Sequence, residues 1–236
     1  VINNITNQLS GNGSMYANKI YSSFIASTTV SCNTISGSNQ PSCTNSFTSP
    51  VQASLPIQRP QIDSWEASAQ AAVDAGTSQP LPANISCLGG GGSTYIISSS
   101  MDLGPVVIPC DLTIEGSGES QTGPTITLKG LVWVKGNIII KNKMTVRVDP
   151  ALSGQRQSMV IIADKTTDPL SSSTIETSGA AQTFSGSGAD SWVMLLSENT
   201  GASQGSINRS INIKNNTTGD LLLYSRLGDI FLENSA

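Results

Sequence analysis

The 236-residue chain carries 12 Lys plus Arg against 16 Asp plus Glu, a net charge of −4, and only 12% charged residues in all, with Ser, Thr, Asn and 22 Gly filling the space. The complete absence of His removes the commonest general base and zinc ligand, which excludes Ser-His-Asp, Cys-His and HExxH chemistries; the lack of a basic surplus argues against nucleic acid as a partner. No run of about 18 apolar residues occurs, so no helical membrane span is expected within this chain.

Residues 1–50 place Met15, Ile20, Ile25, Val30 and Ile35 at intervals of five among small polar residues. That recurrence predicts an irregular, β-solenoid-like segment of short coils. An amphipathic helix is the competing reading, disfavoured by the density of Ser, Thr, Asn and β-branched residues. Residues 51–93 follow as a connector, with Pro50, Pro56 and Pro60 marking its start. Within it an amphipathic helix is expected over about 61–75, with Ile62, Trp65, Ala69, Ala72 and Val73 on one face and Gly76 as its stop. A helix of this length is marginal alone, so Trp65 should pack on a flank of the main body or across an open end. A glycine run at 89–92 reads as loop.

Residues 94–236 form the expected main body. Short strands at 94–98, 106–108 and 111–115 lead into the clearest signal in the chain, the hexads TITLKG, LVWVKG, NIIIKN and KMTVRV from Thr125 onward. Alternation within each block gives a strand with one face inward, and Gly130, Gly136 and Asn142 close blocks at positions suited to φ > 0 corners. Three blocks make one triangular coil of about 18 residues, and stacked coils share a core. Four antiparallel hairpin strands are the alternative, but hairpins rarely keep a strict hexad. Further strands follow at 159–163, 173–177, 192–196 and 211–214, and a late repeat sets Gly219-Asp220-Leu221-Leu222-Leu223 nine residues before Gly228-Asp229-Ile230-Phe231-Leu232. The fold expected is all-β, a right-handed parallel β-solenoid with one docked helix. At about 18–20 residues per coil it would have roughly seven coils and a length near 35 Å.

Cys32, Cys43, Cys87 and Cys110 lie outside any CxxC arrangement, and four cysteines allow three pairings. The sequential pairing closes the shortest loops and is the one expected, with free thiols as the alternative; low charge and Ser/Thr/Asn richness suit an exported protein. The solenoid acids Asp149, Asp164, Asp168, Asp190 and Glu198 are spaced irregularly, so neither a catalytic carboxylate pair nor a metal site is expected. Asp149 and Asp168 each precede a proline and read as turn caps. Trp133 alternates with Val132 and Val134 and so points outward, where a partner, a surface glycan or the Trp65 helix could cover it; Trp192 opens an apolar strand and reads as core. Sequons at Asn4, Asn12, Asn84, Asn208 and Asn216 are what chance gives in so Asn-rich a chain.

The order of LPIQRPQIDSWEASAQAA, GPVVI, LTIEGSG, ITLKGLVWVKGNIIIKNKMTVRVD, MVIIAD, SSTIETSG, WVMLLS and GDLLLY resembles the extracellular part of PilX-like, type IV pilus-associated surface proteins of uncultivated bacteria, over residues 55–236. The resemblance implies a β-solenoid ectodomain displayed behind an N-terminal membrane helix that this chain lacks, with no catalytic residues and no cofactor to carry over. The function expected is a non-enzymatic, extracellular or cell-surface structural or adhesion protein, partnered by other surface or pilus subunits or by copies of itself. Two alternatives are a head-to-tail filament subunit and a carbohydrate-active β-helix enzyme. The expected interface comprises Trp133 and the C-terminal Leu221, Leu223, Ile230 and Leu232.

Overall fold

The computed structural model describes residues 56–79, 87, 94–116, 123–201, 209–214 and 217–233, and as strands alone 9–10, 14–21, 25–26 and 29–36. Cys43, the glycine run and the asparagines of all five sequons lie outside these residues. The chain divides into two compact units, Val1–Leu55 and Pro56–Ala236, the second of which contains the helix.

In the first unit, β1 (Leu9–Ser10) pairs with β3 (Ile25–Ala26), and β2 (Ser14–Tyr21) with β4 (Thr29–Ser36), both in parallel. Met15 faces Val30 and Ile20 faces Ile35. The chain thus returns to register after three of its five-residue periods, as a triangular coil with sides of five residues would.

The second unit is a parallel β-solenoid with three faces. The first face holds β7 (Val106–Ile108), β10 (Val132–Val134), β13 (Met159–Ala163), β16 (Val193–Ser197) and β19 (Leu221–Ser225). The second holds β5 (Thr94–Ile97), β8 (Asp111–Glu115), β11 (Ile138–Lys141), β14 (Ile175–Ser178), β17 (Ile211–Lys214) and β20 (Ile230–Glu233). On the third lie β6 (Met101–Leu103), β9 (Thr125–Leu128), β12 (Met144–Val148), β15 (Gln182–Ser185) and β18 (Thr218–Gly219). Like side chains stack: Val132 lies between Val106 and Ile161, Ile138 between Leu112 and Ile175, and Val146 between Ile126 and Phe184. All nine are at most 1% exposed, and full burial of such a side chain is worth about 1.5–3 kcal/mol. Polar ladders guide the corner between the first and second faces. Asp111 Oδ1 accepts from Asn137 N at 2.8 Å, and one coil on, Asn137 Oδ1 accepts from Thr174 N at 3.1 Å.

Three expectations need correction. Among the described residues the coils are fewer than seven, because the corners take up chain: Ile138 aligns with Ile175 and Ile175 with Ile211, about twice the 18-residue step. Five inter-strand steps on the second face therefore span about 24 Å. Second, of the three block-closing residues only Asn142 has positive φ, at 64°; Gly130 and Gly136 are small because the coil before them presses close. A Cβ on Gly130 would lie 2.7 Å from Pro105 N, and one on Gly136 would strike Asp111. Third, Trp192 is 40% exposed, because the alternation that buries Val193 at the head of β16 turns its predecessor outward.

The helix α1 runs Arg59–Asp74, two residues earlier than expected, since Pro60 in the first turn has no amide hydrogen to leave unpaired. Gly76 at φ 66° ends it, with the amides of Thr77 and Ser78 both donating to Ala72 O. Cys87 and Cys110 form the expected disulfide, with Cα atoms 5.5 Å apart.

Two outcomes follow. Gly130→Ala should lower the unfolding free energy by about 1–3 kcal/mol, read from urea midpoints at constant slope, because the obstructing atoms are backbone. Cys87→Ser should cost about 2–4 kcal/mol, and mass spectrometry of protein purified without reductant should find Cys87 and Cys110 in one disulfide-linked peptide.

Candidate functional site

Outward side chains on the first face form an apolar column, Val107, Trp133, Ile162, Leu196 and Tyr224 in successive strands. Left in water, this column would be an adhesive stripe; α1 covers it. Ile62 is fully buried against Ile162 and Leu196, with Trp65, Trp133, Ile57 and Tyr224 packed around them. Before the helix, Tyr224 Oη donates to Ile57 O at 2.5 Å. Beyond its other end Gln79 N donates to Pro105 O, and Gly104 N to Gln79 Oε1, each at 3.0 Å. The helix is thus tied to the last coil at one end and the first at the other. Its 16 residues measure about 24 Å, enough to cross the four inter-strand steps of the first face, about 19 Å. Trp133 points outward as expected and α1, one of the covers expected for it, packs over it, so it does not serve as the exposed interface residue also expected; Lys135 Nζ sits 4.3 Å over its ring.

A charge cluster closes the N-terminal half of this interface. Arg59 Nη1 donates to Asp164 Oδ2 at 2.6 Å and to Glu198 Oε2 at 3.0 Å, Nη2 to Glu66 Oε2 at 3.3 Å, and Nε pairs with Asp63 Oδ1 at 2.7 Å. Arg226 Nε donates to both oxygens of Glu198, at 3.2 and 3.0 Å. The carboxylate-bearing side chains of Glu66, Asp164 and Glu198 are 7%, 2% and 2% exposed. Burial raises the Glu66 pKa to about 8, and the charge of neighbouring Asp164 adds to it. Sequence reading found Asp164 and Glu198 only as scattered acids and missed Arg59, Glu66 and Arg226. One signal was present: Glu66 stands four residues after Ile62 and three before Ala69, inside the apolar stripe.

The other sequence candidates separate. Asp149 caps its turn through Ala151 N at 3.1 Å and pairs with Lys129 at 2.8 Å; the lysine hydrogen bond and then the amide hold its pKa below the ordinary value. Asp168 accepts from the Ser171 hydroxyl at 2.6 Å and the Ser171 amide at 3.3 Å, which lower its pKa in the same way. Both are turn caps, as expected. Asp190 pairs with exposed Arg156 at 3.4 Å. Among the described residues no group of three or more Cys, Asp or Glu is placed to hold a metal ion, and no helix is long and apolar enough to cross a membrane.

The C-terminal coil brings the other four expected interface residues together. Leu221 and Leu223 continue the inward columns of Val193 and Leu195, and Ile230 and Leu232 those of Ile211 and Ile213. The residues beneath are at most 8% exposed, whereas Ile230 and Leu232 are 43% and 68% exposed. At the opposite end the inward Tyr95 and Ile97 are 7% and 3% exposed. Among the described residues, the inward side chains of the first coil are covered and those of the C-terminal coil are not.

Arg59→Gln should undock the N-terminal half of α1. Removing one member of a buried ion cluster costs about 3 kcal/mol or more, and amide exchange at Ile62 and Trp65 should quicken while β11 stays protected.

No family model, curated protein or solved structure matches this chain. Function is therefore read from the clamped solenoid, its buried cluster and its exposed C-terminal coil.

Proposed function

We propose that this chain is a non-enzymatic, extracellular structural subunit of a surface or pilus-associated assembly, and that its C-terminal coil docks against the same coil of a second copy. The observation that carries this is the row of inward-facing Leu221, Leu223, Ile230 and Leu232, whose columns are buried one coil below, while here Leu221 and Leu223 are half-buried and Ile230 and Leu232 are exposed. The edge strand β20 adds backbone donors and acceptors that template further pairing. Parallel solenoids normally seal such an end. Head-to-tail stacking is less favoured because, among the described residues, the inward Tyr95 and Ile97 of the first coil are buried, whereas a two-fold contact needs only a patch that complements itself.

The Cys87–Cys110 disulfide suits an oxidising compartment, and the likeness to pilus-associated ectodomains supports display at a surface. An enzymatic reading fits less well. Asp164 and Glu198, the acids the fold brings together, lie beneath α1 with both carboxylates occupied by guanidinium groups, which leaves them holding the helix and out of reach of a sugar.

Sedimentation velocity over a concentration series tests the proposal. Wild type should show a monomer–dimer equilibrium, and Ile230→Lys should be monomeric throughout with little loss of thermal stability, since that side chain is already 43% exposed. A wild type that stays monomeric, a variant that keeps its association while its melting temperature falls, or filaments in micrographs would each overturn the docking mode.

A further inference from the structure

The charge cluster under α1 is short of one donor. Two guanidiniums, Arg59 and Arg226, face four carboxylates: Asp63 and Glu66 from α1, Asp164 beyond β13 and Glu198 beyond β16. Arg59 serves Glu66 Oε2, but Glu66 Oε1 is buried without a hydrogen-bond partner. A buried carboxylate oxygen with nothing to accept from carries its full desolvation penalty, which is larger when the group is charged. The neighbouring acid is Asp164, whose Oδ2 is held by Arg59 Nη1 and whose carboxyl acts directly on that of Glu66. Two carboxylates at such a site repel each other, and a single proton between them turns repulsion into a hydrogen bond.

We propose that Glu66 is a proton latch: a proton held between its Oε1 and Asp164 keeps the N-terminal half of α1 on the first face, and loss of that proton releases it. The C-terminal half is anchored separately, through Gln79 to Gly104 and Pro105, so release is partial and the solenoid beneath stays intact. It exposes the Trp133, Ile162 and Leu196 column that Ile62 and Trp65 cover.

The direction of the pH effect is fixed by linkage. The Glu66 pKa rises from 4.5 to about 8 in the docked state, through burial first and the Asp164 charge second. A raised acid gives its stabilisation in full below the ordinary value and loses it as pH climbs through the raised one. Docking should therefore be firm in mild acid and weaken towards pH 8.

Two readouts test the latch. The Glu66 side-chain carboxyl carbon, followed by NMR, should titrate well above the ordinary glutamate range, and Asp164→Asn should bring it down. Protection of the Ile62, Trp65 and Ala69 amides, corrected for intrinsic exchange, should fall by up to about tenfold per pH unit towards pH 8, the limit for one linked proton. Glu66→Gln, which stays neutral, should keep its protection flat over that range. The proposal fails if Glu66 titrates near 4.5, or if wild-type protection ignores pH. It fails equally if added Ca²⁺ restores wild-type protection near pH 8, since the lone oxygen would then be a cation ligand and not a proton carrier.

Discussion

A side chain inside a stacked coil is buried only if it is covered both above and below. Everything else in the second unit answers to that constraint. Ile138 disappears from solvent because Leu112 and Ile175 sandwich it, and the glycines at coil ends are small because the preceding coil presses close. Stability of such a stack is a sum over neighbours, so its two ends carry the least. The first coil has solved its problem: Tyr95 and Ile97 are covered, and Cys87 is bonded to Cys110 beside them. The C-terminal coil has no such cover among the described residues, and Leu232 there is 68% exposed.

The helix answers a different need. Inward stacking leaves the outward column of the first face as apolar as a core strand, and α1 converts that column into a second, smaller core. Because it is long enough to cross the first face and is tied to the last and first coils, it couples coils that otherwise touch only their neighbours. The cost is that charged groups at its N-terminal end are carried under cover with the apolar ones. Buried ion clusters seldom add net stability over apolar packing. They are demanding in their partners, however, and this one lacks a single hydrogen at Glu66 Oε1. Helix docking is thereby the element of the fold most open to adjustment by solution conditions, while the aliphatic columns beneath have nothing to titrate.

Much of this was legible from residues alone. The hexads of β9 to β12 declare three faces and an inward phase, and the structure keeps that phase residue by residue; the five-residue recurrence upstream likewise matches the register of Met15 with Val30. The exposed end could be read from the apolar character of Leu221, Leu223, Ile230 and Leu232. Coil number could not, because corner insertions change chain length without changing the strand pattern. Nor could the role of Gly130, since a demand for φ > 0 and a demand for no Cβ write the same letter. The cluster was invisible for a further reason. Arg59 lies 105 residues from Asp164 and 139 from Glu198, and no local period links them; only Glu66, an acid inside an apolar stripe, carried a trace of it.

Residue-resolved amide exchange on a dilute, monomeric sample tests the stacking account most directly. If burial needs cover both above and below, protection should be highest in β11 and β14, fall through β17 and be lowest in β20, with β5 at the opposite end well above β20. A β20 as protected as β11 under those conditions would mean that the C-terminal column is roofed within the monomer, and the account of an exposed C-terminal coil would be wrong.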